Sequence, residues 1–361
     1  MIEIRGVSVK RAWLEIDFAK LKNNYEIAKR LVKGKEILGV VKADGYGCGD
    51  VAIAKELTKL GVKIFGVACL KEGVKLRKNG IQGEILVFGA LNYDEYEEAF
   101  NNNLQLSITR YEDLEYIEKN NFCNPKVHIK IDTGMGRIGF TNIKRQDVLD
   151  MIEKFKKTEI IGIYSHFSSS DEYTQELYTV QQINKFKEYE DIKELKYRHI
   201  QNSAGIIDHD SLCGGNLARA GIMLYGYTDL HNGLETITKL KARIAHLKVV
   251  EEDSYISYGR EGFVKKGGMV ATVSIGYADG YQRRFTNKGI MHIDGVPCKV
   301  LGKVCMDVTM IEIPDCIKEK VKLGMEVEVL GKHVMNQLKN AEISPYEYLV
   351  QISGRVDRVY I

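Results

Sequence analysis

The amino-acid sequence predicts an α/β protein: an N-terminal (β/α)8, TIM-like barrel followed by a C-terminal, mostly antiparallel β domain. Short runs of branched apolar residues alternate with amphipathic helical stretches eight times between about residue 35 and residue 230. This spacing is typical of parallel strands joined by helical crossovers, and eight such units favour a closed barrel over an open sheet. After Tyr227 the pattern changes to short strands with Gly and Asp at the turns, which predicts a separate β domain.

The individual strands are predicted from these apolar runs. The barrel strands are expected in EILGVVK, IFGVA, EILVFG, LQLSI, VHIKID, IIGIYSH, RHIQN and GIMLYG. Most of them precede an amphipathic stretch such as DVAIAKELTKLG, DEYEEAFNNN or IKRQDVLDMIEKFKK. Strands of the second domain are expected in LKARIAHLKVVEE, MVATVSIGYADG, GIMHIDGVPCKVLGKVCMDVTMIEI and MEVEVLG. We place the domains at residues 1–235 and 236–361, with residues 1 to about 12 as candidates for pairing with the C-terminal domain.

The composition is that of an ordinary globular protein, since 44% of the 361 residues are hydrophobic and 28% are charged. The seven cysteines are scattered, with no CxxC pair and no tight Cys/His cluster, which indicates a reducing, cytoplasmic compartment and no structural metal. The N-terminal sequence lacks the long apolar segment of a signal peptide. No run of roughly eighteen apolar residues occurs, so no membrane span is predicted. A net charge of +3 is too small to indicate nucleic-acid binding.

Five polar residues fall at or near the predicted ends of barrel strands that form the active-site rim of such barrels. They are Lys42, Asp132, His166, Ser203 and Arg219. Taken singly, each has an ordinary explanation, because a strand-end lysine usually faces water, a lone histidine usually packs in the core and a serine usually forms a turn or cap. Together on one rim they indicate a site in which burial would lower the pKa of Lys42 and make its amine a nucleophile.

Ser203 lies near the predicted end of the seventh strand, and Gly221 and Ile222 lie near the eighth. Barrels commonly bind phosphate at this position through backbone N–H groups. The sequence therefore predicts an anion site at this part of the rim.

Several motifs follow one another in the order found in the alanine racemase family, a group of fold type III pyridoxal-phosphate enzymes. The chain resembles that family in VVKADGYGCGD, KIDTGMGRIGF, SHF, NSAG, RAGIMLYG, SYG, SIGYADGY and GKVCMD, and the match extends from RAWLEIDFAKLKNN to ISGRVDRVY. DTGMGR and GYADG together with the lysine motif carry the resemblance, while any single block is weak. The lysine motif departs from the family at KADGYGCG, where the family usually has Asn-Ala before the tyrosine and His in place of Cys48.

The resemblance implies that pyridoxal 5′-phosphate is the cofactor and that Lys42 binds it covalently. The residues implied to hold the cofactor are Lys42, Tyr46, His166, Ser203, Arg219, Gly221 and Ile222. Arg219 is implied to face the pyridine nitrogen, with His199 holding the arginine. Because arginine keeps its proton, the ring nitrogen would stay largely unprotonated, which weakens the ring as an electron sink and limits side reactions such as transamination.

The resemblance also implies a two-base racemisation, in which Lys42 serves one face of the substrate α-carbon and Tyr258 serves the other. The family supplies this tyrosine from the partner subunit, and the residues matching His166 and Arg219 help it to act as a base. A homodimer with shared active sites is therefore expected. The position of Tyr258 in the predicted β domain fits a head-to-tail pair.

Four further residues are implied to shape the substrate pocket. Arg137 would bind near the substrate carboxylate, which suits its planar guanidinium, and Lys130, which is often carbamylated in the family, would position this arginine. Tyr277 and Met306 would close the pocket from the partner's side. Without the motif, core packing would be the simpler interpretation of Met306.

The implied activity is the interconversion of L- and D-alanine, which supplies D-alanine for cell-wall peptidoglycan. A serine or broad-specificity racemase is the alternative, because Gly354 stands where the family typically has a tyrosine that narrows the pocket near the substrate methyl group and reaches the cofactor phosphate. Discrimination by one methyl group is worth only about 1–3 kcal/mol, so a more open pocket would relax the choice of substrate.

Two other classes of protein compete with the racemase interpretation. A fold type III decarboxylase or aldolase would lack the block around Tyr258, and the decarboxylases place a glutamate where this chain has Arg219. A non-enzymatic cofactor carrier of the single-barrel kind would lack the residues beyond about position 235.

Overall fold

The computed structural model describes residues 10–361, which form two compact units: residues 20–235, and residues 10–19 together with 236–361. Residues 1–9, most of the N-terminal segment expected to pair with the C-terminal domain, lie outside the described residues. The strand that follows them, β1 (Ala12–Ile16), belongs to the sheet of the second unit.

Eight parallel strands form the first unit. They are β2 (Glu36–Val40), β3 (Ile64–Val67), β4 (Glu84–Val87), β5 (Gln105–Ile108), β6 (Lys126–Lys130), β7 (Glu159–Tyr164), β8 (Tyr197–His199) and β9 (Leu217–Ala220). From β2 to β8 each strand pairs with the next, and β9 pairs with β2. Between β8 and β9, the N–H groups of Asn216 and Arg219 donate to the carbonyls of Arg198 and Gln201 at 3.1 and 3.2 Å. The barrel is thus nearly closed, and the predicted (β/α)8 fold is confirmed.

Helices accompany these strands. They are α1 (Phe18–Leu31), α2 (Lys42–Tyr46), α3 (Asp50–Lys59), α4 (Leu70–Lys78), α5 (Tyr96–Asn101), α6 (Tyr111–Lys119), α7 (Arg145–Lys154), α8 (Glu176–Phe186), α9 (Ser203–Asp208) and α10 (Ile222–Tyr225). Helix α3 illustrates why they form: Ile53, Ala54 and Leu57 are fully buried and recur on one face of the helix, which packs that face against the barrel.

The eighth barrel strand lies four residues earlier than predicted. The prediction placed it at 221–226, but the strand is β9, and most of the predicted segment forms the short helix α10. Gly226 ends this helix in a left-handed conformation with φ 74°, a common way for a helix to stop. All four residues of α10 are buried, and periodicity alone cannot distinguish a short buried helix from a buried strand.

The second unit is a mostly antiparallel β structure, as predicted. After β1 its strands are β10 (Thr238–Val249), β11 (Ser254–Ile256), β12 (Gly262–Val264), β13 (Met269–Val273), β14 (Ile290–Ile293), β15 (Val296–Lys299), β16 (Thr309–Ile313), β17 (Glu326–Leu330) and β18 (Asp357–Tyr360), with helices α11 (Val334–Asn340) and α12 (Pro345–Gln351). The main sheet has the order β15-β14-β17-β10-β1-β18, with β13 between β10 and β16, and β11 and β12 form a separate hairpin. Only the β1–β18 pair within this described part of the chain is parallel.

None of the helices within residues 10–361 combines the length and the apolar character that crossing a bilayer requires.

Candidate active site

The rim residues predicted from the sequence occupy one edge of the barrel. Lys42 follows β2 by two residues, Asp132 follows β6 by two, and His166 follows β7 by two. Ser203 begins α9 after β8, and Arg219 lies within β9 rather than ahead of the eighth strand. Because the strands are parallel, their carboxyl ends meet at the same edge, which is where barrels of this kind carry their sites.

The short segment α2, which joins Lys42 to Tyr46, is a left-handed turn rather than a regular α-helix. Ala43, Asp44 and Gly45 have φ values of 53°, 53° and 61°, and Tyr46 has a φ of 51°. For residues other than glycine this conformation costs roughly 1–2 kcal/mol each. Backbone strain of this kind persists only where the surroundings enforce it, and it concentrates at functional sites.

Charged side chains of α4 and α3 support this turn. The ammonium of Lys75 lies 2.7 Å from a carboxylate oxygen of Asp44 and 2.7 Å from one of Asp50. A carboxylate oxygen of Glu72 accepts a hydrogen bond of 2.7 Å from the backbone N–H of Ala43. These supports were not predicted, because Lys75 and Glu72 resemble ordinary charged residues on the outer face of a helix.

The pKa of Lys42 is lowered. Burial is the main cause, the positive charges of Arg137 and Arg219 add to it, and Glu72 opposes it. A lowered pKa leaves more of the amine unprotonated near neutral pH. Lys42 therefore has the property that an amine nucleophile or base needs.

Five basic side chains influence one another around this rim. Burial, reinforced by Arg219 and Arg137 and opposed by Asp132, lowers the pKa of Lys130 to about 7. Burial also lowers the pKa of His166 far below its ordinary value, with contributions from Arg219, Arg137, Lys130 and Lys42 in that order. A concentration of positive charge that makes neighbouring groups release protons favours the binding of an anion.

Arg137 lies on the loop that follows β6. Asp132 organises the start of this loop, since its carboxylate accepts hydrogen bonds from the N–H groups of Gly134 and Gly136 at 2.9 and 3.1 Å. The loop returns to the strand near Gly139, where an added Cβ atom would come within 2.7 Å of the Lys130 carbonyl. Glycine is therefore required there, and Arg137 is held, exposed, on a folded loop.

Arg219 is buried, with 3% of its surface exposed. Its Nη1 atom lies 2.8 Å from Nδ1 of His199, and its Nη2 atom lies 3.1 Å from Nδ1 of His166. Nη2 also donates to the carbonyls of Ser165 and Ile200, both at 2.8 Å. Burial lowers the pKa of Arg219 to about 10, so the guanidinium stays charged at neutral pH in a fixed orientation.

The predicted anion site lies where α9 and α10 begin. The Ser203 hydroxyl oxygen accepts hydrogen bonds from the N–H groups of Gly221 and Met223 at 3.1 and 3.2 Å. A Cβ atom added to Gly221 would come within 2.9 Å of the Tyr46 hydroxyl oxygen. The absence of a side chain at Gly221, just before Ile222, thus lets the backbone approach the Tyr46 hydroxyl group closely.

Tyr258, Tyr277 and Met306 lie together in the second unit. They are 70%, 40% and 52% exposed, so Met306 is a surface residue rather than part of the core. An open depression of about 360 Å³ is lined by Ser257, Tyr258, Cys305, Met306, Asp307 and Val308. The N–H of Tyr277 donates to the Cys305 carbonyl at 3.0 Å, which brings the backbone of Tyr277 next to the segment that carries Met306.

The turn that contains Gly354 is tied to the loops that carry Tyr277 and Met306. Arg355 pairs with Asp307 at 2.7 Å and with Asp279 at 3.4 Å, and these acids neighbour Met306 and Tyr277 in the chain. A Cβ atom added to Gly354 would meet no atom of the described chain within 4 Å. This glycine therefore leaves open space beside the depression-forming loops.

Two buried residues beneath the rim, Tyr164 and His128, were not predicted to belong to the site. The ring of Tyr164 stacks on that of His199 with centroids 4.8 Å apart, and the guanidinium of Arg219 lies 5.5 Å from its centre. His128 lies 3.2 Å from His199 through ring nitrogens. Both follow the ordinary alternation of a strand, so no local signal distinguishes them from core residues.

Two family models together cover almost the whole chain. Residues 16–229 match the alanine racemase N-terminal domain, and residues 237–360 match the alanine racemase C-terminal domain. Both matches agree with the barrel and the β structure described above.

Individual proteins show the same relationship. An alanine racemase of Fusobacterium nucleatum is 38% identical over 355 residues, which cover 97% of this chain and 100% of that protein. The solved alanine racemase of Clostridium difficile 630 has a TM-score of 0.88 at 34% identity, covering 97% of this chain and 96% of that one. The alanine racemase structure from E. faecalis has a TM-score of 0.89 at 30% identity, covering 98% and 99% of the two chains. This chain belongs to the alanine racemase family.

Proposed function

We propose that this chain is a pyridoxal 5′-phosphate-dependent racemase that interconverts L- and D-alanine. The observation that carries the proposal is the Lys42 amine, whose pKa is lowered by burial and by Arg137 and Arg219. An amine of this kind can bind an aldehyde cofactor covalently and can also exchange a proton. The relatives named above are alanine racemases, which supports alanine as the substrate.

The residues of the rim fit the cofactor. Its phosphate carries negative charge, and the rim concentrates positive charge. The hydroxyl groups of Tyr46 and Ser203 lie beside the backbone of Gly221, and this grouping suits a phosphate held by hydroxyl and backbone N–H donors. Ile222 would add its N–H there, and Arg219 and His166 would lie at the pyridine end.

Racemisation would use Lys42 and Tyr258 as two proton carriers. When bound, pyridoxal 5′-phosphate acts as an electron sink that makes the proton on the substrate α-carbon removable. The Lys42 nitrogen would take or give this proton on one face, and the Tyr258 oxygen would do so on the other. Arg219 is fixed in orientation and always charged. Its guanidinium would donate a hydrogen bond to the pyridine nitrogen without transferring its proton, so that the nitrogen stays largely unprotonated.

A homodimer would complete the site. Tyr258, Tyr277 and Met306 are exposed, although large apolar groups usually gain free energy from burial. Their exposure supports the expectation that these three side chains contact the barrel of a second copy of the chain. A symmetric pair would then contain two sites, each built from both chains.

The substrate carboxylate would bind Arg137. The loop that carries this arginine closes onto the backbone of Lys130, whose pKa of about 7 leaves a large fraction of the amine neutral near neutral pH. A neutral amine can add carbon dioxide and become a carbamate, whose negative charge would hold the guanidinium of Arg137.

Serine is the alternative substrate. The open space at Gly354 supports a pocket that accepts a side chain longer than methyl. In either case the product D-amino acid would serve cell-wall peptidoglycan, and all seven cysteines are free thiols, which supports a cytoplasmic location.

The proposal is tested by following the optical rotation of L-alanine and of L-serine with the purified protein and added pyridoxal 5′-phosphate, together with carbon dioxide release. We expect rotation to decay to zero with alanine and no carbon dioxide to form. The Lys42→Ala variant is the control for uncatalysed change. Release of carbon dioxide without loss of optical purity in the remaining substrate would instead identify a decarboxylase, and the proposal would be wrong.

A further inference from the structure

A row of hydrogen-bonded side chains crosses the barrel interior from the active-site rim toward the opposite end. It runs from Arg219 to His199, His128, Gln105 and Glu84, with successive distances of 2.8, 3.2, 3.0 and 2.5 Å. His199 ends β8, whereas Gln105 and Glu84 begin β5 and β4. We call these five residues the interior relay.

Each hydrogen bond of the interior relay can have only one direction. A guanidinium only donates, so Nδ1 of His199 must accept from Arg219. Burial lowers the pKa of His128 to about 3 and that of His199 far below its ordinary value, so each ring carries one proton at neutral pH. The proton of His199 is therefore on Nε2, which donates to Nδ1 of His128, and that of His128 is on Nε2, which donates to the Gln105 carbonyl oxygen.

The interior relay ends at a carboxylate. The side-chain amide of Gln105 donates to Glu84. Burial would raise the pKa of Glu84, but hydrogen bonds from Lys196 and Gln105 outweigh it and hold this pKa below its ordinary value. Glu84 is therefore negative at neutral pH, and every N–H bond of the row points toward it. Aligned bonds of this kind polarise one another, which places electron density on the nitrogen that faces Arg219.

Among the described ion pairs of residues 10–361 none joins Arg219 to a carboxylate, and its guanidinium contacts imidazole nitrogens and backbone carbonyls instead. A buried cation without a counter-ion is costly. The neutral groups that contact it, carbonyls and imidazole nitrogens, supply partial negative charge. The interior relay connects these contacts to Glu84, which also pairs with Lys196.

Packing holds the two histidines in place. An added Cβ atom at Gly162 would come within 2.2 Å of Nδ1 of His128, so a glycine in the neighbouring strand makes room for this ring. The ring of His128 stacks on Tyr197 with an interplanar angle of 11°, and that of His199 stacks on Tyr164 with an angle of 6°. The rings are thus fixed in orientation.

We propose that Glu84, Gln105 and His128 are positioning residues that lock His199 in one tautomer and thereby set the orientation of the Arg219 guanidinium. The part of the inference that concerns catalysis rests on the proposed racemase function. The tautomer of His199 can be measured without any turnover.

The test uses holoenzyme labelled with 15N-histidine, whose imidazole shifts distinguish a protonated from an unprotonated Nδ1. The variants are Glu84→Gln, which removes the terminal charge, and Gln105→Leu, which interrupts the row. Glu159→Gln is the matched control, because Glu159 begins the neighbouring strand β7, pairs with Lys126 at 3.8 Å and makes no link to the relay. His128→Asn and His199→Asn assign the two rings.

In the unaltered chain we expect both rings to carry their proton on Nε2. Glu84→Gln should shift the His199 signals and lower kcat about tenfold with KM nearly unchanged, because a slightly misplaced functional group slows the chemical step even where substrate binding persists. Glu84→Asp, which keeps the charge, should recover most of kcat. Gln105→Leu should give a mixture of tautomers at His128.

The inference would be overturned if Glu84→Gln and Gln105→Leu kept the His199 shifts and the kcat of the Glu159→Gln control, even with a lowered Tm. If the unaltered protein racemised no amino acid, the proposed function would fail, while the tautomers would still decide whether the relay exists.

Discussion

The ammonium of Lys75 lies 2.7 Å from a carboxylate oxygen of Asp44, in the middle of the left-handed turn that follows Lys42. The same ammonium also pairs with Asp50, whose side chain is only 2% exposed. This lysine thus connects a strained turn to the buried start of α3.

We predict that Lys75→Met weakens both the fold and cofactor retention. Loss of the ammonium leaves the buried Asp50 carboxylate without that partner, which costs about 1–3 kcal/mol, and frees the turn that orients Lys42. Tm should fall by several degrees, and dialysis should remove pyridoxal 5′-phosphate faster. Lys71→Met, an exposed residue of the same helix, is the control. Equal retention in both variants would show that the turn needs no support from Lys75.

Replacing Lys42 by alanine should abolish activity. The variant lacks both the covalent attachment and one proton carrier, so we expect a loss of about a thousandfold or more together with loss of the visible absorbance of the bound cofactor. Lys55→Ala, an exposed lysine of α3, should behave like the unaltered protein. Retained absorbance in Lys42→Ala would disprove the assignment of this lysine.

Tyr258→Phe should leave cofactor binding intact but slow racemisation by about 100-fold or more, because a general base on one face is lost. Exchange of the α-hydrogen with deuterium from solvent should slow for one enantiomer much more than for the other. Tyr255→Phe is the matched control, since this nearby tyrosine is 61% exposed. Equal exchange rates for both enantiomers in Tyr258→Phe would contradict the two-base mechanism.

Co-expression of these two inactive variants tests whether the site is shared between subunits. A hybrid of the Lys42→Ala and Tyr258→Phe chains contains one site with both residues intact if Tyr258 is donated across the dimer. Random pairing makes half of the dimers hybrids, so about one quarter of the unaltered activity should return. If each site were built within one chain, mixing would restore nothing.

The open space at Gly354 predicts relaxed substrate choice. Its backbone is not in the left-handed region, so a larger residue can be introduced without strain at φ. Gly354→Tyr should lower kcat/KM for serine relative to alanine by about tenfold, the size expected for filling a side-chain pocket. Gly354→Ala, which fills little of the space, is the control. An unchanged ratio would show that another position sets specificity.

Lys130 should become carbamylated as the pH rises through about 7, the value to which burial, Arg219 and Arg137 lower its pKa. Below this pH the amine is protonated and cannot react, whereas above it the free amine adds to the carbon of carbon dioxide and releases a proton. A 13C signal from labelled bicarbonate should therefore grow from about pH 6 to about pH 8. It should vanish in Lys130→Met and persist in Lys126→Met, on the same strand. A signal that is independent of pH would refute the assignment.

Much of the fold could be predicted because the local pattern of apolar and polar residues indicates which side chains are buried. The run at β3 is buried at all four residues, and a strand covered on both faces reads as a continuous apolar segment. The same rule failed at 221–226, where a short helix is buried just as completely. The candidate rim residues were also accessible to sequence reasoning, because the parallel arrangement brings every strand end to one edge.

The sequence by itself determined the barrel, the β domain and the family, since these depend on periodicity and on motifs that are local in the chain. Only the tertiary structure decided what surrounds each side chain. Lys75 reaches Asp44 from 31 residues away, and Arg219 reaches His199, and through it Glu84, across three other strands. The burial, pKa and tautomer of a side chain depend on its neighbours in space, and the order of residues along the chain does not show which residues those neighbours are.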